Sequence, residues 1–344
     1  MYLENEIAEQ PDVMRRLLRD QSEKTQKVAA AIRHFDPTFI TIAARGTSDN
    51  AARYAQYLFG DFARLPVALA TPSLHTIYQS PPNLSRSLVI GISQSGQAED
   101  VRLVLEDARK QGALTIGVTN YDDSPTAQTA EYHLSLMAGE EMSVAATKTY
   151  TAQLTVIAML LTALVANNEL RDTLARLPEH VEETLKLSES VAGWAERYRY
   201  MEQFVVIGRG YNYSTAFEIQ LKVQELCGIM GDGYSEADFR HGPIALIKRG
   251  FPVIAVAPEG KTMPYVVDLL EKLHEQQSEL LVISNHDNAF AHAQNRMEIP
   301  AGIPEWLTPM LSVIPGQVFA MQQAIVRGFP VDKPRGLNKV TVTR

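Results

Sequence analysis

The residues of this chain that could do chemistry begin with two short, hydroxyl-rich loops. The loops are Gly46-Thr47-Ser48 and Ser93-Gln94-Ser95-Gly96. Each follows an apolar run and precedes a helical pattern, so hydroxyl and backbone N–H groups would gather at the positive end of a helix. One such loop alone is more typical of a helix N-cap. Two of them at neighbouring strand ends instead predict a bound phosphate.

Neither loop has the signature of a nucleotide site. The chain contains no G-x-x-x-x-G-K-[ST] pattern and no G-x-G-x-x-G motif after a strand, which disfavours ATP and NAD. Among the histidines, only His286-Asp287 with His292 approaches the spacing of metal ligands, and we do not interpret it as a site. We expect neither a metal nor a cofactor, because side chains can supply an acid and a base.

A group of ionisable residues lies in the second half of the chain. Glu218, Lys222 and Glu225 are spaced i, i+4 and i+7, which places them on one face of a predicted helix. By spacing alone, such a row is more often a solvated ladder of salt bridges. His241 follows in a Gly/Pro loop at a predicted strand-end face, where a histidine can carry protons.

Composition limits the class of protein. The 344 residues suffice for two ordinary domains, and the net charge of −8 offers no basic face for nucleic acid. The longest apolar stretch, 154–166, is too short to span a bilayer, so we expect no membrane partner. One cysteine, Cys227, allows no intrachain disulfide and fits a reducing, cytoplasmic location. We interpret Cys227 as a small buried hydrophobe rather than a nucleophile.

An internal repeat predicts how these residues are positioned. Apolar runs end in Arg-Gly at Gly46 and at Gly210, and a glycine loop follows the next apolar run at Gly96 and at Gly260. Each first glycine precedes its second by 50 positions. Short apolar runs that alternate with helical patterns are typical of parallel α/β sheets, and uninterrupted apolar strands indicate burial on both faces.

The sequence therefore predicts an α/β protein with two tandem, doubly wound parallel-sheet domains of three layers. We expect a helical arm at 1–34, a first domain at 35–180, a second at 195–330, and an irregular tail at 331–344. In such sheets ligands bind beyond the carboxyl ends of the strands, which is where both hydroxyl-rich loops fall.

Taken together, these motifs resemble the sugar isomerase (SIS) family, whose fold is flavodoxin-like. They are most similar to the isomerase halves of glutamine–fructose-6-phosphate aminotransferases. The other motifs on which this resemblance rests are Val144-Ala145-Ala146-Thr147-Lys148-Thr149, the run from Glu218 to Glu225, His241-Gly242-Pro243, and the tail from Pro334 to Val342. The resemblance covers nearly the whole chain, in order.

The resemblance implies a sugar phosphate as the ligand. The implied binding residues are Gly46, Thr47, Ser48, Ser93, Gln94 and Ser95 for the phosphate and nearby hydroxyls, and Val144 and Ala145, through backbone groups, for the sugar. Two departures are Gln97-Ala98, where the family has Glu-Thr, and Ala146, where relatives have serine. One phosphate-binding hydroxyl is thereby lost, so binding could be weaker or the substrate different.

The resemblance also implies catalytic roles. Glu225 would be the base that moves a proton between C1 and C2, and Glu218 and Lys222 would support it. His241 would open the sugar ring, and relatives supply this histidine from a neighbouring subunit, which implies a homodimer with a shared site. Lys339 would engage the open-chain carbonyl, either as a hydrogen-bond donor or through a Schiff base.

The resemblance leaves the reaction open. With Tyr2 at position 2 and about 35 residues before the first strand, we expect no glutaminase domain. The leading hypothesis is a deaminase that converts glucosamine 6-phosphate and water into fructose 6-phosphate and ammonia. Alternatives are a fructosamine-6-phosphate deglycase and an isomerase that accepts free ammonia. A non-catalytic sugar-phosphate sensor is disfavoured, because residues 1–34 are too short and too acidic for a DNA-binding module.

Overall fold

A computed structural model describes residues 1–339 and contains two five-stranded sheets whose paired strands are all parallel. The strands are β1 Phe39–Ala43, β2 Val67–Leu69, β3 Ser87–Ser93, β4 Leu114–Thr119, β5 Tyr132–Ser135, β6 Gln203–Gly208, β7 Met230–Ser235, β8 Pro252–Val256, β9 Glu279–Ser284 and β10 Asn295–Glu298. The sheet orders are β2-β1-β3-β4-β5 and β10-β9-β8-β6-β7, the same doubly wound order twice. The predicted fold class is confirmed.

Helices cover both faces of the sheets and form the predicted N-terminal arm. The α-helices are α1 Tyr2–Ala8, α2 Gln10–Asp20, α3 Ser22–Phe35, α4 Thr47–Leu58, α5 Ser73–Thr76, α6 Glu99–Lys110, α7 Pro125–Thr129, α8 Lys148–Leu164, α9 Asn168–Ala175, α10 Leu177–Ser188, α11 Tyr213–Cys227, α12 Glu236–Arg240, α13 Met263–Glu275, α14 Asp287–Phe290 and α15 Thr308–Val326. A π-helical turn spans Phe59–Ala63, and short 3-10 turns span Glu189–Gly193, Ala195–Tyr198, Gly210–Asn212, Pro243–Leu246 and Glu305–Leu307.

The chain divides into two compact units. The first unit comprises Glu9–Glu141, Ala146–Pro178 and residues 338–339, and the second comprises Met1–Ala8, Met142–Ala145 and Glu179–Leu337. The predicted domain boundaries near 34, 180, 195 and 330 remain predictions.

Each unit is built around one long apolar helix. In the first unit α8 is buried along almost its whole length and packs against α2, α3 and α4. In the second unit α15 is buried in the same way and packs against α1 and α11. Helices that are apolar all round belong in cores, which explains the apolar stretch that begins at Leu154. Among residues 1–339, no helix is both long and apolar enough to cross a membrane.

Two edge strands were not expected from the sequence. β2 consists of three apolar residues, none of them buried, and is shorter than the apolar runs of about four to eight residues that indicate a strand. β7 contains Gly231, Asp232 and Gly233, which are depleted in strands and typical of turns. Both strands pair with a buried central strand, β1 and β6 respectively, and that pairing determines their conformation.

Candidate functional site

The loop after β3 binds its own backbone through serine hydroxyls. The N–H of Gly96 donates to Ser93 Oγ at 3.1 Å, and the N–H of Gln97 donates to Ser95 Oγ at 3.3 Å. Helix α6 starts beyond this loop, and its N-cap residue, Ala98, makes no side-chain cap hydrogen bond. The serines therefore do not act as the N-cap of α6. Because their oxygens accept from the backbone, their hydroxyl hydrogens remain able to donate to a phosphate oxygen.

The shape of this loop depends on Gly96. Its φ is +66°, a left-handed conformation that favours glycine. A Cβ at this position would lie 2.1 Å from Ser124 Oγ. The carbonyl of Gly96 accepts a hydrogen bond from Thr126 Oγ1 at 2.9 Å, so the short helix α7 holds the loop from below.

The loop after β1 is fixed by a residue that the sequence analysis did not single out. Ser48 is 6% exposed, and its Oγ accepts a hydrogen bond from Gln153 Nε2 at 3.0 Å. Gln153 lies on α8, is completely buried, and its Oε1 has no hydrogen-bond partner within residues 1–339. A buried amide oxygen costs free energy unless it is hydrogen-bonded, so the Gln153 side chain is costly here, and the contact it makes is the one that fixes Ser48.

The register of the sheet places the two loops at one edge. β1 pairs with β3 in parallel, with Ala43 opposite Gly91, so both strands run toward their loops side by side. Burial raises the pKa of the neighbouring Asp49 carboxyl, and Arg53 and Arg45 oppose that shift only in part.

The segment predicted to line the sugar is held by the protein itself. Within the second unit, the buried Glu6 carboxylate accepts hydrogen bonds from Ser143 N–H and Oγ and from Met142 N–H. The N–H of Val144 donates to Asp332 O at 3.0 Å. The segment is thus rigidly held, and sugar contacts through Val144 and Ala145 remain a prediction.

Another carboxylate lies at the start of α8, in the first unit. The Glu141 side chain is fully buried, and its Oε1 accepts the N–H groups of Thr147 at 3.0 Å and Thr149 at 3.1 Å. Its Oε2 accepts Thr149 Oγ1 at 2.8 Å and Lys339 Nζ at 2.6 Å. The tail lysine implied by the resemblance is therefore bound to a residue that the sequence analysis missed.

The charged row on α11 is not a solvated ladder. The side chains of Glu218 and Lys222 are 0% and 1% exposed, and that of Glu225 is 24% exposed. Lys222 Nζ lies 3.5 Å from Glu218 Oε1 and donates a hydrogen bond to Glu225 Oε2. The expectation from spacing alone is wrong because i, i+4 spacing does not reveal which face is buried. Buried charges of this kind are expensive and are typical of functional sites.

Glu225 is the member of this row that reaches open space. It lines a cavity of about 450 Å³ within the second unit, together with Leu221, Phe329 and Arg335. This volume lies in the range of small-molecule sites. Cys227 also lines the cavity, but burial raises the pKa of its thiol to about 12, and its Sγ donates to Ala320 O at 3.4 Å. These features favour the interpretation of Cys227 as a buried hydrophobe.

His241 is exposed beside a framework of arginines. It lines a cavity of about 540 Å³ in the second unit, which Arg209, Arg240 and Tyr265 also line. The carboxylate of Glu236, 1% exposed, accepts hydrogen bonds from both arginines. The Arg209 guanidinium lies 4.4 Å from the centre of the Tyr265 ring. The short helix α12 that precedes His241 is thereby anchored, while the imidazole stays accessible.

The histidines that came nearest to metal spacing have structural contacts. His286 Nδ1 accepts the N–H of Asn288 at 3.2 Å at the start of α14, and His292 stacks on His274 at 4.5 Å. In the described part of the chain no group of three or more His, Cys, Asp or Glu residues could hold a metal ion.

The predicted site residues separate into two sets, each inside one unit. The first unit contains Gly46, Thr47, Ser48, Ser93, Gln94, Ser95 and Lys339, and the second contains Val144, Ala145, Glu218, Lys222, Glu225 and His241. Sequence reasoning missed Glu6, Glu141, Gln153 and Glu236. Among these, a signal was present in the sequence for Gln153, which is a polar residue within the apolar run of α8.

Comparison with known proteins gives relatives for the whole chain. The isomerizing glutamine–fructose-6-phosphate aminotransferase of Pyrococcus horikoshii is 34% identical over 349 residues, covering 99% of this chain and 58% of that protein. This chain therefore spans little more than half the length of that relative.

Solved structures show the same fold. A protein from Silicibacter pomeroyi, provisionally described as a phosphosugar isomerase, matches with a TM-score of 0.86 and 29% identity, covering 96% of this chain and 99% of that one. The glucosamine-6-phosphate deaminase of Thermotoga maritima matches with a TM-score of 0.82 and 21% identity over 100% of both chains. The SIS domain model matches residues 36–163 and 199–327, one match for each sheet. The chain belongs to the SIS domain family, a family of sugar-phosphate isomerases.

Proposed function

We propose that this chain is an isomerase that deaminates an amino-sugar phosphate, turning glucosamine 6-phosphate and water into fructose 6-phosphate and ammonia. One observation carries the proposal: the buried Glu218–Lys222 pair holds Glu225, a partly exposed carboxylate, at the wall of a cavity. A sensor that only binds its ligand gains nothing from this costly arrangement, whereas proton transfer at carbon requires a positioned base.

The hydroxyl-rich loops are proposed to hold the phosphate. Ser93, Ser95, Thr47 and Ser48 offer hydroxyls, and the N–H groups of Gly96 and its neighbour point into the same loop. Substrate binding then begins with the phosphate, whose charge is shared among several hydrogen-bond donors. The binding energy of this non-reacting group can be used to align the sugar for proton transfer.

Proton transfer is proposed to start from the open-chain sugar. His241 moves a proton from the hydroxyl on C1 to the ring oxygen and so opens the ring. Glu225 takes the proton from C2, a proton passes from the amino group on C2 to the oxygen on C1, and Glu225 returns its proton to C1, which leaves a hydroxyl on C1 and an imine at C2. Water adds to that imine and ammonia leaves, giving fructose 6-phosphate. Lys222 and Lys339 are proposed to stabilise charge on the sugar oxygen during this transfer.

A second candidate is favoured by the cavity beside Glu225. Its volume of about 450 Å³ and its mostly apolar wall could hold a substituent on the amine, and Arg335 could pair with a carboxylate of that substituent. A fructosamine-6-phosphate deglycase would use both features. The same residues could also run the amination in reverse with free ammonia.

We test these alternatives by measuring ammonia and amine release from four substrates. They are glucosamine 6-phosphate, galactosamine 6-phosphate, N-acetylglucosamine 6-phosphate and fructoselysine 6-phosphate. We expect turnover of the first, and Glu225→Gln should lower kcat/KM by about 10²- to 10⁴-fold, the usual contribution of a general base. The exposed Glu271→Gln on α13 is the control. Preferred turnover of fructoselysine 6-phosphate would select the deglycase, and an unimpaired Glu225→Gln variant would refute the base assignment.

We also propose that the chain forms a homodimer with an active site shared between subunits, and that it is located in the cytoplasm. The exposure of His241 supports it, because an accessible imidazole can serve a neighbouring copy. Mixing inactive Glu225→Gln and His241→Asn chains at equal amounts should restore about a quarter of wild-type activity, since half of the dimers are mixed and each has one intact site. No recovery after subunit exchange would assign His241 to its own chain.

A further inference from the structure

Glu141 has two sets of donors that differ in kind. Its Oε1 is fully used by the N–H groups of Thr147 and Thr149, both at the first turn of α8. Its Oε2 is shared between the Thr149 hydroxyl and Lys339 Nζ. The first set belongs to the helix, and the second includes the Lys339 ammonium group, which lies 198 positions away in the sequence.

The helix depends on Glu141 for its N-terminal cap. Thr147 is the N-cap residue of α8, but its own side chain makes no cap hydrogen bond, and its Oγ1 has no partner within residues 1–339. Glu141 supplies the missing acceptor from outside the helix. A carboxylate at the positive end of a helix is stabilised by the helix dipole, even where the site is buried.

Because of this arrangement, Lys339 can leave the Glu141 carboxylate while the helix cap stays intact. When Lys339 leaves, Glu141 still accepts the two N–H groups and the Thr149 hydroxyl, so its charge is not left without donors. A buried carboxylate paired only with a lysine could not release it without a large penalty. The Lys339 side chain is also 25% exposed, so its amine stays within reach of a ligand.

We infer that Glu141 is a positioning residue, a dock that holds Lys339 at the first turn of α8 for its role in the reaction. The catalytic part of this inference rests on the proposed function, and the dock itself does not.

The dock can be tested on the wild-type protein by acetylation with N-hydroxysulfosuccinimidyl acetate, followed by peptide mass spectrometry. Lys333 lies in the same tail and is exposed, so it is the internal control. We expect Lys339 to react about tenfold more slowly than Lys333, because 1.4 kcal/mol of pairing corresponds to a factor of ten. Equal rates for the two lysines would overturn the inference.

Two variants separate the dock from the helix cap. Glu141→Gln removes the charge that binds Lys339, so Lys339 should become as reactive as Lys333. Thr149→Val removes one donor to the same carboxylate and should leave Lys339 protected. Deprotection in both variants would mean that Glu141 acts only through the helix. If circular dichroism shows that the Glu141→Gln variant does not fold, Glu141→Asp is used instead. Aspartate keeps the negative charge at the helix, but its shorter side chain does not reach Lys339.

A kinetic cycle tests the positioning role. Glu141→Gln should lower kcat for ammonia release, while the affinity for fructose 6-phosphate, set by the hydroxyl-rich loops, stays near wild type. In a Lys339→Met background, Glu141→Gln should cause no further loss, because the two residues act as one unit. Additive losses would overturn the positioning role. A wild-type enzyme that releases no ammonia would instead refute the proposed function and leave the acetylation result standing.

Discussion

The two halves of the molecule use equivalent loops in different ways. In the loop after β3, the N–H groups of Gly96 and Gln97 are bonded to neutral serine hydroxyls. In the loop after β8, the N–H groups of Lys261 and Thr262 are bonded to the Glu305 carboxylate, at 2.9 and 3.1 Å. The second half thus fills its own anion-binding loop with a negative charge, whereas the first half fills its loop with groups that can also donate to a ligand.

A glutamate precedes the long apolar helix of each half. Glu141 lies seven positions before the start of α8, and Glu305 lies three positions before the start of α15. The Glu141 carboxylate accepts hydrogen bonds from the start of α8 and from Lys339, whereas the Glu305 carboxylate accepts them from the loop after β8. The difference teaches that a shared fold does not imply a shared site. We predict that the Glu305 carboxylate excludes from the loop after β8 the anion that the loop after β3 is proposed to bind.

The largest expected effect comes from placing a carboxylate in the loop after β3, as the loop after β8 already has one. Ser95→Asp places a carboxylate in the loop after β3, where it would compete with a phosphate for the same donors. We expect the affinity for fructose 6-phosphate to fall by about 100-fold or more, because repulsion between like charges adds to a lost hydroxyl donor.

The matched control for this change is Ser95→Ala. It removes only the hydroxyl, so the affinity should fall by about three- to tenfold, as expected for one hydrogen bond. Isothermal titration calorimetry measures both constants. If the aspartate and alanine variants bind equally well, the phosphate is held elsewhere and the contrast between the loops has no functional meaning.

The next effect concerns how tightly each loop is packed. A Cβ on Gly96 would lie 2.1 Å from Ser124 Oγ and 2.4 Å from Ser124 Cβ, and a Cβ on Gly260 would lie 2.4 Å from the Glu305 carboxyl carbon. Because Gly96 also has a φ of +66°, Gly96→Ala should lower the free energy of unfolding by about 2–4 kcal/mol. Gly260 also has a positive φ, +158°. Gly260→Ala should still cost less, about 1–3 kcal/mol, because the flexible Glu305 side chain can move aside.

A double variant tests the second of these explanations. Glu305→Ala removes the group that a Cβ on Gly260 would meet, so the cost of Gly260→Ala should shrink when the two changes are combined. Denaturant unfolding of the two single variants and the double variant gives the coupling free energy. Strictly additive costs would show that Glu305 does not fill the loop in solution.

The fold was predictable because its signals are local and repeated. β3 and β4 are buried at every residue, and such uninterrupted apolar runs separated by helical patterns indicate a parallel sheet. β2 and β7 were not predicted because β2 has only three residues and β7 contains two glycines, so pairing with β1 and β6 determines their conformation. Edge strands of this kind depend on tertiary context, which a single sequence does not contain.

The candidate site was predictable only where its chemistry lies within a few residues. The serine loops could be found because hydroxyls, glycine and helix start are adjacent in sequence. Gln153 meets Ser48 across 105 positions, and Glu6 meets Ser143 across 137. Neither pair has a spacing that a sequence motif can capture. The burial of Lys222 was missed for a related reason, since it depends on the packing of α11 against α15.

The smallest expected effect distinguishes the two sheets by their response to pH. The edge strand β5 carries His133, whose pKa is lowered mainly by burial and also by Lys24, while Asp122 opposes the shift. The corresponding edge strand β10 carries Arg296, not a histidine, at its second position. Only the first sheet therefore has a titratable group on this strand that responds between pH 5 and 7.

The sign of this response follows from proton binding. Below pH 6.5 the unfolded chain protonates this histidine more readily than the folded chain does, so the contribution of His133 to stability falls as the pH falls. His133→Gln keeps a hydrogen-bonding side chain near Thr119 but cannot titrate, so it should flatten the pH dependence of unfolding between pH 7 and 5. Urea unfolding at several pH values measures this, with the exposed His34→Gln as control. A steeper loss of stability at low pH in His133→Gln than in wild type would mean that protonation of His133 stabilises the first sheet through Asp122, and that the attraction of this carboxylate outweighs the cost of burying the charged imidazole.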